Sequence, residues 1–339
     1  MAARRFWAAF RQLLTGVPRR TWPAVRLLAD HQGLRIVTRT DQVGLELRVP
    51  GVQSPANLNV SCDLLQTAAD GRGDDVTVEL GDAGDAIMKW RDGDVPRQAS
   101  FTPPRPAAPV DTNPPSPTTW ADQPPEFLTA LQNLMQVTDP DSLRYALNCV
   151  QLDGDTGAMT ATDGSQILSH RGWNFGFAGS ALVPANKVLT NRDLAAANTV
   201  RIGKTDRHFV LQAGDWTTWL ALNREGRFPN VADLLATDDA PATRLVLAPD
   251  DRRFLQENLP RLPARRDDLG AVTVDLNGHV AIRARDDDSS PPTELVLNRS
   301  SRVGAEVRFC TDRRFLSRAL ELGFADVAIQ NAEQPVVCR

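Results

Sequence analysis

Apolar positions recur at intervals of three and four residues in three places along the chain. Phe6, Phe10, Leu13 and Leu14 form the first stripe, Phe127, Leu131, Leu134 and Met135 the second, and Phe254, Leu255 and Leu259, with the polar Asn258 at the same spacing, the third. This spacing puts each group on one side of a helix. Pro124-Pro125 and Pro249-Asp250 precede the second and third stripes, as suits a helix start, where a missing N–H costs nothing. Between the stripes the pattern changes to alternation. Residues 30–41, 152–163 and 275–286 each read as an acid/Gly turn followed by an alternating strand that stops at an aspartate.

The closing aspartates, Asp41, Asp163 and Asp286, lie 122 and 123 residues apart. Behind each comes a strand end leading into an amphipathic helix, at 60–65, 183–189 and 309–316. A further strand follows at 76–78, 200–202 and 327–329. Landmarks in one order at one period describe an internal repeat. Each unit reads helix, two or three strands, helix, two or three strands. Two helices packing one apolar face on a sheet make an α+β layer arrangement. The expected domains are 1–116, 117–238 and 239–339. Ten of the 24 prolines fall between Pro96 and Pro125, so 102–125 reads as a stiff extended linker, with an SH3-type ligand as the alternative. The third repeat reaches Arg339 one strand short of the others, whose last strands are expected at 98–101 and 217–222.

At 42% hydrophobic and 24% charged residues the composition is that of an ordinary soluble globular chain. No run of 18 apolar residues occurs, so no transmembrane helix is expected, and residues 1–11 lack the apolar core of a signal peptide. A formal charge of −4 excludes a uniformly basic nucleic-acid binder but leaves room for local patches. Cys62, Cys149, Cys310 and Cys338 stand far apart, as do His31, His170, His208 and His279. Neither set has metal-ligand spacing; reduced, mostly buried thiols and no metal or cofactor are expected. Asp153-Gly154-Asp155 and Thr162-Asp163-Gly164 lack the third acid and closing glutamate of a calcium loop. No G-x-S-x-G, Walker A, G-x-G-x-x-G or H-E-x-x-H motif occurs, and catalysis is not expected.

The most specific string lies in the second repeat. Leu143-Arg144-Tyr145-Ala146-Leu147-Asn148-Cys149 is followed by Ala161-Thr162-Asp163-Gly164, Val183-Pro184, Gly214-Asp215-Trp216 and Gly226-Arg227-Phe228-Pro229. This order resembles the bacterial DNA polymerase III β subunit family, the sliding clamps, as a divergent or C-terminally truncated member. The resemblance covers the whole chain and is strongest over 126–236. It implies a DNA-clamp fold, three tandem two-helix modules forming half of a pseudo-six-fold ring. Two subunits would join head to tail around double-stranded DNA. The implied role is a non-enzymatic processivity factor that tethers the replicative polymerase. Its partners would be the DNA polymerase III catalytic subunit and the clamp loader, its location the cytoplasm with the nucleoid, without membrane or cofactor.

A sliding ring needs helices that present positive charge without reading bases. Over segments 4–14, 61–70, 124–136, 184–197, 249–262 and 311–321 the formal charge is +2, in a chain of −4. The sign suits a ring; the magnitude is small. The candidate phosphate contacts are Arg4, Arg5, Arg11, Lys187, Arg192, Arg252, Arg253, Arg313, Arg314 and Arg318, with Arg144 and Tyr145 beside them. The resemblance also implies a pocket for a short partner peptide at Leu147, Thr162, Gly164, Ser165, Gln166, Ile167, Pro229, Asp233 and Leu234. Leu147, Ile167, Pro229 and Leu234 would form its apolar floor. The family commonly has His-Arg where this chain has Ser165-Gln166, and often Arg at Asp233, so charge pairing with a peptide is weakened here. The alternative reading is a clamp-fold interaction protein that does not close on DNA, and a small-molecule enzyme is the third.

Overall fold

The computed structural model describes residues 2–51, 53–71, 76–81, 85–104, 116–142, 145–235, 240–264, 270–287 and 289–339. The chain divides into two compact units, residues 1–229 and 230–339. In the first unit, α1 (Ala2–Leu13) precedes β1 (Val25–Asp30), β2 (Gly33–Arg39), β3 (Val43–Pro50) and β4 (Ala56–Val60). Then come α2 (Cys62–Asp70), β5 (Val76–Leu80), β6 (Ala86–Asp92) and β7 (Val95–Phe101). The second repeat follows with β8 (Ala121–Gln123), α3 (Glu126–Met135), β9 (Cys149–Asp153), β10 (Ala158–Thr162), β11 (Ile167–His170) and β12 (Ser180–Pro184). It ends with α4 (Arg192–Ala195), β13 (Val200–Lys204), β14 (His208–Ala213) and β15 (Trp216–Ala221).

The second unit contains α5 (Ala232–Leu235), β16 (Thr243–Val246), α6 (Pro249–Asn258), β17 (Ala271–Asp275), β18 (Ala281–Ala284) and β19 (Thr293–Val296). Then come β20 (Ser301–Gly304), β21 (Arg308–Asp312), α7 (Arg313–Glu321), β22 (Asp326–Ile329) and β23 (Val337–Cys338).

Strand order bears out the internal repeat. The same four-strand order appears three times, as β3-β2-β1-β4, β11-β10-β9-β12 and β19-β18-β17-β21. The other strands form β5-β6-β7 in the first repeat, β8-β13-β14-β15 in the second and β20-β16-β22-β23 in the third. The first two repeats are not separate sheets. β3 pairs antiparallel with β15, Leu47 opposite Trp216 and Leu45 opposite Thr218, so one eight-stranded sheet runs through both. In the third repeat β23 pairs with β22, and Arg339 extends that pairing: its N–H donates to the Asp326 carbonyl at 2.8 Å. This sheet, expected to be one strand short, has four strands as in the second repeat, because β20 pairs with the other edge of β16.

The helical stripes are buried as their spacing requires. Phe6, Phe10 and Leu13 of α1 and Phe127, Leu131 and Leu134 of α3 are all buried. Phe6 stacks on Trp216 with ring centroids 6.3 Å apart, tying α1 to β15. In α6, Leu255 and the following Leu259 are buried, but Phe254 is exposed, contrary to its place in the stripe. A recurrent bond joins the paired helices. Arg4 of α1 donates to the Gly71 carbonyl behind α2 at 2.7 Å, Gln132 of α3 to the Leu189 carbonyl at 2.7 Å, and Gln256 of α6 to the Leu320 carbonyl of α7 at 2.9 Å. These bonds satisfy carbonyls that a helix end leaves without an intrahelical partner.

Three other expectations change. The helix expected at 183–189 is instead a 3-10 turn, Lys187–Thr190, followed by the single-turn α4. Asn186 accepts from the Val188 N–H and Asn191 from the Asp193 N–H, so a second N-cap interrupts the helix where the first should continue. Part of the expected linker is a strand: β8 pairs with β13 across Val200 and Gln123, while residues 105–115 lie outside the described residues. Of the four free thiols, Cys149 is buried and Cys62 and Cys338 are partly so, but Cys310 is exposed. Burial pushes the Cys338 thiol up to about 11.

Candidate nucleic-acid and peptide interface

The chain after β12 is fixed onto α1 by side-chain amides. Asn186 donates to the Leu13 carbonyl at 3.1 Å, and Asn191 donates to Gln12 Oε1 at 2.8 Å. Arg5 pairs with Asp193 at 2.5 Å, its guanidinium 5.8 Å from the centre of the Trp216 ring. Two of the longest-range bonds in the first unit thus hold the two helical segments side by side. On them Arg11, Lys187 and Arg192 are exposed, and none has a side-chain hydrogen bond or ion pair with another described residue. Arg4, by contrast, is turned onto the carbonyls of Ala69 and Gly71.

The cations expected in the second unit are mostly committed. Arg252 donates to the Gly323 carbonyl at 2.7 Å, and Arg253 pairs with Asp250, which also holds Arg299. Arg314 pairs with Asp312 at 2.6 Å. Arg313 is buried, and its guanidinium donates to the carbonyls of Gly270 at 2.9 Å and Pro263 at 2.5 Å. A buried guanidinium saturated by backbone carbonyls is a structural clamp, so the expectation of a phosphate contact at Arg313 is withdrawn. Arg318 is half-buried on α7. Arg144 lies outside the described residues, and its neighbour Tyr145 is 60% exposed with a φ of +55°. A non-glycine residue in that region is held there by its surroundings. Here the Ala146 N–H donates to the Arg227 carbonyl at 3.0 Å.

The same bond lies among the residues expected to form a peptide pocket in the first unit. The 145–148 turn is joined to the 226–229 turn, and Phe228 packs on Ala146, Cys149 and Leu182. Gly164 has a φ of +91°, and a Cβ there would stand 4.0 Å from Leu147 Cδ1, so the β10–β11 turn abuts Leu147. The turn is internally closed. Thr162 Oγ1 donates to the Gln166 carbonyl at 2.7 Å, while Asp163 accepts the N–H groups of Ser165 and Gln166 and the Gln166 side-chain amide at 2.7 Å. Leu147, Ile167 and Pro229 remain half-buried, neither core nor fully solvated. Asp233 and Leu234 are exposed on α5 in the second unit. The acidic turns have the structural role expected of them: Thr156 and its backbone neighbours hydrogen-bond Asp153 and hold its carboxyl below the usual range.

The sequence reading did not single out a polar-rimmed cleft in the first unit. Lys204, Arg224 and Arg227 stand around it, between the β13–β14 turn and the chain leaving β15. Their only signal in the sequence is the pair of arginines around Gly226.

No protein-family model and no curated protein matches the chain. Solved structures do. The DNA polymerase III subunit beta from Pseudomonas aeruginosa is 18% identical, with a TM-score of 0.76 over 99% of this chain and 94% of that one. The Thermotoga maritima DNA polymerase III beta subunit is 14% identical, with a TM-score of 0.76 over 99% and 93%. The beta subunit from DNA polymerase of Streptococcus pyogenes is 13% identical, with a TM-score of 0.74 over 98% and 93%. At these identities the likeness is one of fold. The chain has, over nearly its whole length, the α+β fold of the bacterial DNA polymerase III beta subunits, the sliding-clamp fold.

Proposed function

We propose that this chain is a sliding clamp: a non-enzymatic factor that encircles duplex DNA and tethers a replicative polymerase. The observation that carries the reading is the helical face of the first unit, where Arg11, Lys187 and Arg192 are exposed without an acidic partner among the described residues. Cations placed on helices and aimed at no base edge give sequence-independent phosphate contact, as sliding requires. Arg5, Arg192 and Lys187 lie on the same pair of segments, while Arg144 and Tyr145 belong to the set only as sequence candidates.

The repeat supports closure of a ring. Within the chain, the edge strand β3 of one repeat pairs with β15, the last strand of the next. By the same rule β19, the corresponding edge of the third repeat, would pair with β7 of a second copy. Both are edge strands, with Val95 and Val296 exposed. The product is a head-to-tail homodimer of three domains per chain, divided near 116 and 238. The peptide pocket of this reading rests on Leu147, Thr162, Gly164, Ser165, Gln166, Ile167 and Pro229; Asp233 and Leu234 belong to it only through the resemblance. Polymerase and clamp loader would be its partners, in the cytoplasm.

Light scattering is the test of assembly. Twice the chain mass, reduced to a monomer by Val296→Lys, supports the reading; a monomer at micromolar concentration counts against it. A second reading, a clamp-fold interaction protein that does not close on DNA, is favoured by one observation. The second-unit cations Arg252, Arg253 and Arg314 are already bonded within the chain.

A further inference from the structure

The cleft of the first unit has a volume of about 870 Å³, within the size of sites that hold a peptide segment or small ligand. Its rim carries Lys204, Arg224 and Arg227 against one acid, Asp206. Arg224 and Arg227 are exposed and make no side-chain hydrogen bond or ion pair with a described residue. Lys204 makes no side-chain hydrogen bond or ion pair with a described residue, and its Nζ lies 4.7 Å from the centre of the Phe177 ring. The apolar lining comes from Leu182, Leu222 and Phe228, and the Leu182 carbonyl of β12 accepts the Asn223 N–H at 3.0 Å.

The geometry points to a docking site for an acidic, amphipathic peptide segment of a partner protein. Three unpaired cations on one rim supply the charge complementarity for carboxylates, and the apolar lining accepts the alternate apolar side chains. Nucleic acid fits less well. A single-stranded site wants several exposed rings to stack on, and this cleft offers Phe228 alone with Asp206 beside the phosphate path. Neither Leu147, Gly164, Ile167 nor Pro229 lines this cleft, so it is a different set of residues from the peptide pocket of the clamp reading.

The test titrates the full chain with a fluorescein-labelled dodecapeptide of alternating Glu and Leu, and with its Gln-for-Glu counterpart. The acidic peptide should bind, the neutral one far more weakly, and high salt should release the acidic one. Arg224→Gln combined with Arg227→Gln should weaken binding by roughly tenfold, the size of two exposed charge pairs. Leu147→Ala should leave it unchanged. Binding that survives the double arginine variant, or that Leu147→Ala abolishes, overturns the assignment. So does tighter binding of an oligothymidylate lost in that same variant, which would make the cleft a nucleic-acid site.

Discussion

Leu47 and Trp216 are cross-strand partners 169 positions apart in the chain, and their pairing merges the first two repeats into one sheet. Trp216 is buried and carries the Phe6 ring on its face, so it also fastens α1 to that sheet. Trp216→Ala should destabilise the first unit by about 3–5 kcal/mol, the cost of removing a large buried aromatic. Hydrogen exchange is the readout. Protection should fall in β3 as well as in β15, because the two strands share one ladder; loss confined to 200–222 would show that the repeats unfold separately.

The exposed cations of the helical face should act additively on duplex binding. Each of Arg11→Ala, Lys187→Ala and Arg192→Ala should lower the slope of log affinity against log salt by about 0.9, the contribution of one phosphate contact. Arg313→Ala should leave that slope alone and lower the melting temperature instead, because its guanidinium spans buried carbonyls. Calorimetric titrations at several salt concentrations separate the two outcomes.

Much of this was legible in the chain before folding. The helix at 2–13 and the helix at 126–135 follow from phenylalanine and leucine at helical spacing, and the threefold order follows from turns that recur at one period. What was not legible is set by long-range pairing. Nothing local tells β3 that its neighbour is β15, and nothing in the string Arg313-Arg314 says that one arginine is buried under carbonyls while the other pairs with Asp312. Phe254 shows the same limit: its spacing fits the α6 stripe, yet Leu255 and Leu259 fill the core and leave it outside. The N-caps at Asn186 and Asn191, which break the helix expected at 183–189, went unread in the sequence, and their place is set by long-range bonds from the same amides to α1.

Asp275 gives a pH signature. It is buried at the end of β17; burial raises its pKa, but the Asn277 N–H and the guanidinium groups of Arg308 and Arg283 outweigh that and hold it below the usual value. A depressed folded pKa contributes stability above the unfolded value of 3.8, and that contribution is lost as pH falls below it. Asp275→Asn should therefore cost about 1–3 kcal/mol at neutral pH. The gap from the parent protein should narrow in urea titrations as pH drops toward about 3. A gap that stays constant with pH would assign the loss to packing.

The peptide pocket should be weak. A Leu or Phe anchor meeting Leu147, Ile167 and Pro229 gains about 1.5–3 kcal/mol per buried side chain. No basic group stands at Ser165 or Gln166 to add a charge pair. Binding of a short motif of that type is expected at tens of micromolar, roughly −6 kcal/mol. Ile167→Ala should remove most of it in calorimetry, and Gln166→Arg should strengthen binding of an acidic motif. Tight binding untouched by Ile167→Ala would move the partner site elsewhere.

Topology gives the most direct test of the central claim. The protein is loaded onto nicked circular DNA with a clamp loader, separated from free protein, and the DNA is then cut once. A closed ring stays on the circle through a high-salt wash and runs off within the same time once the circle is linear. Equal loss from circular and linear DNA would contradict encirclement and leave a clamp-fold protein that binds its partners without surrounding DNA.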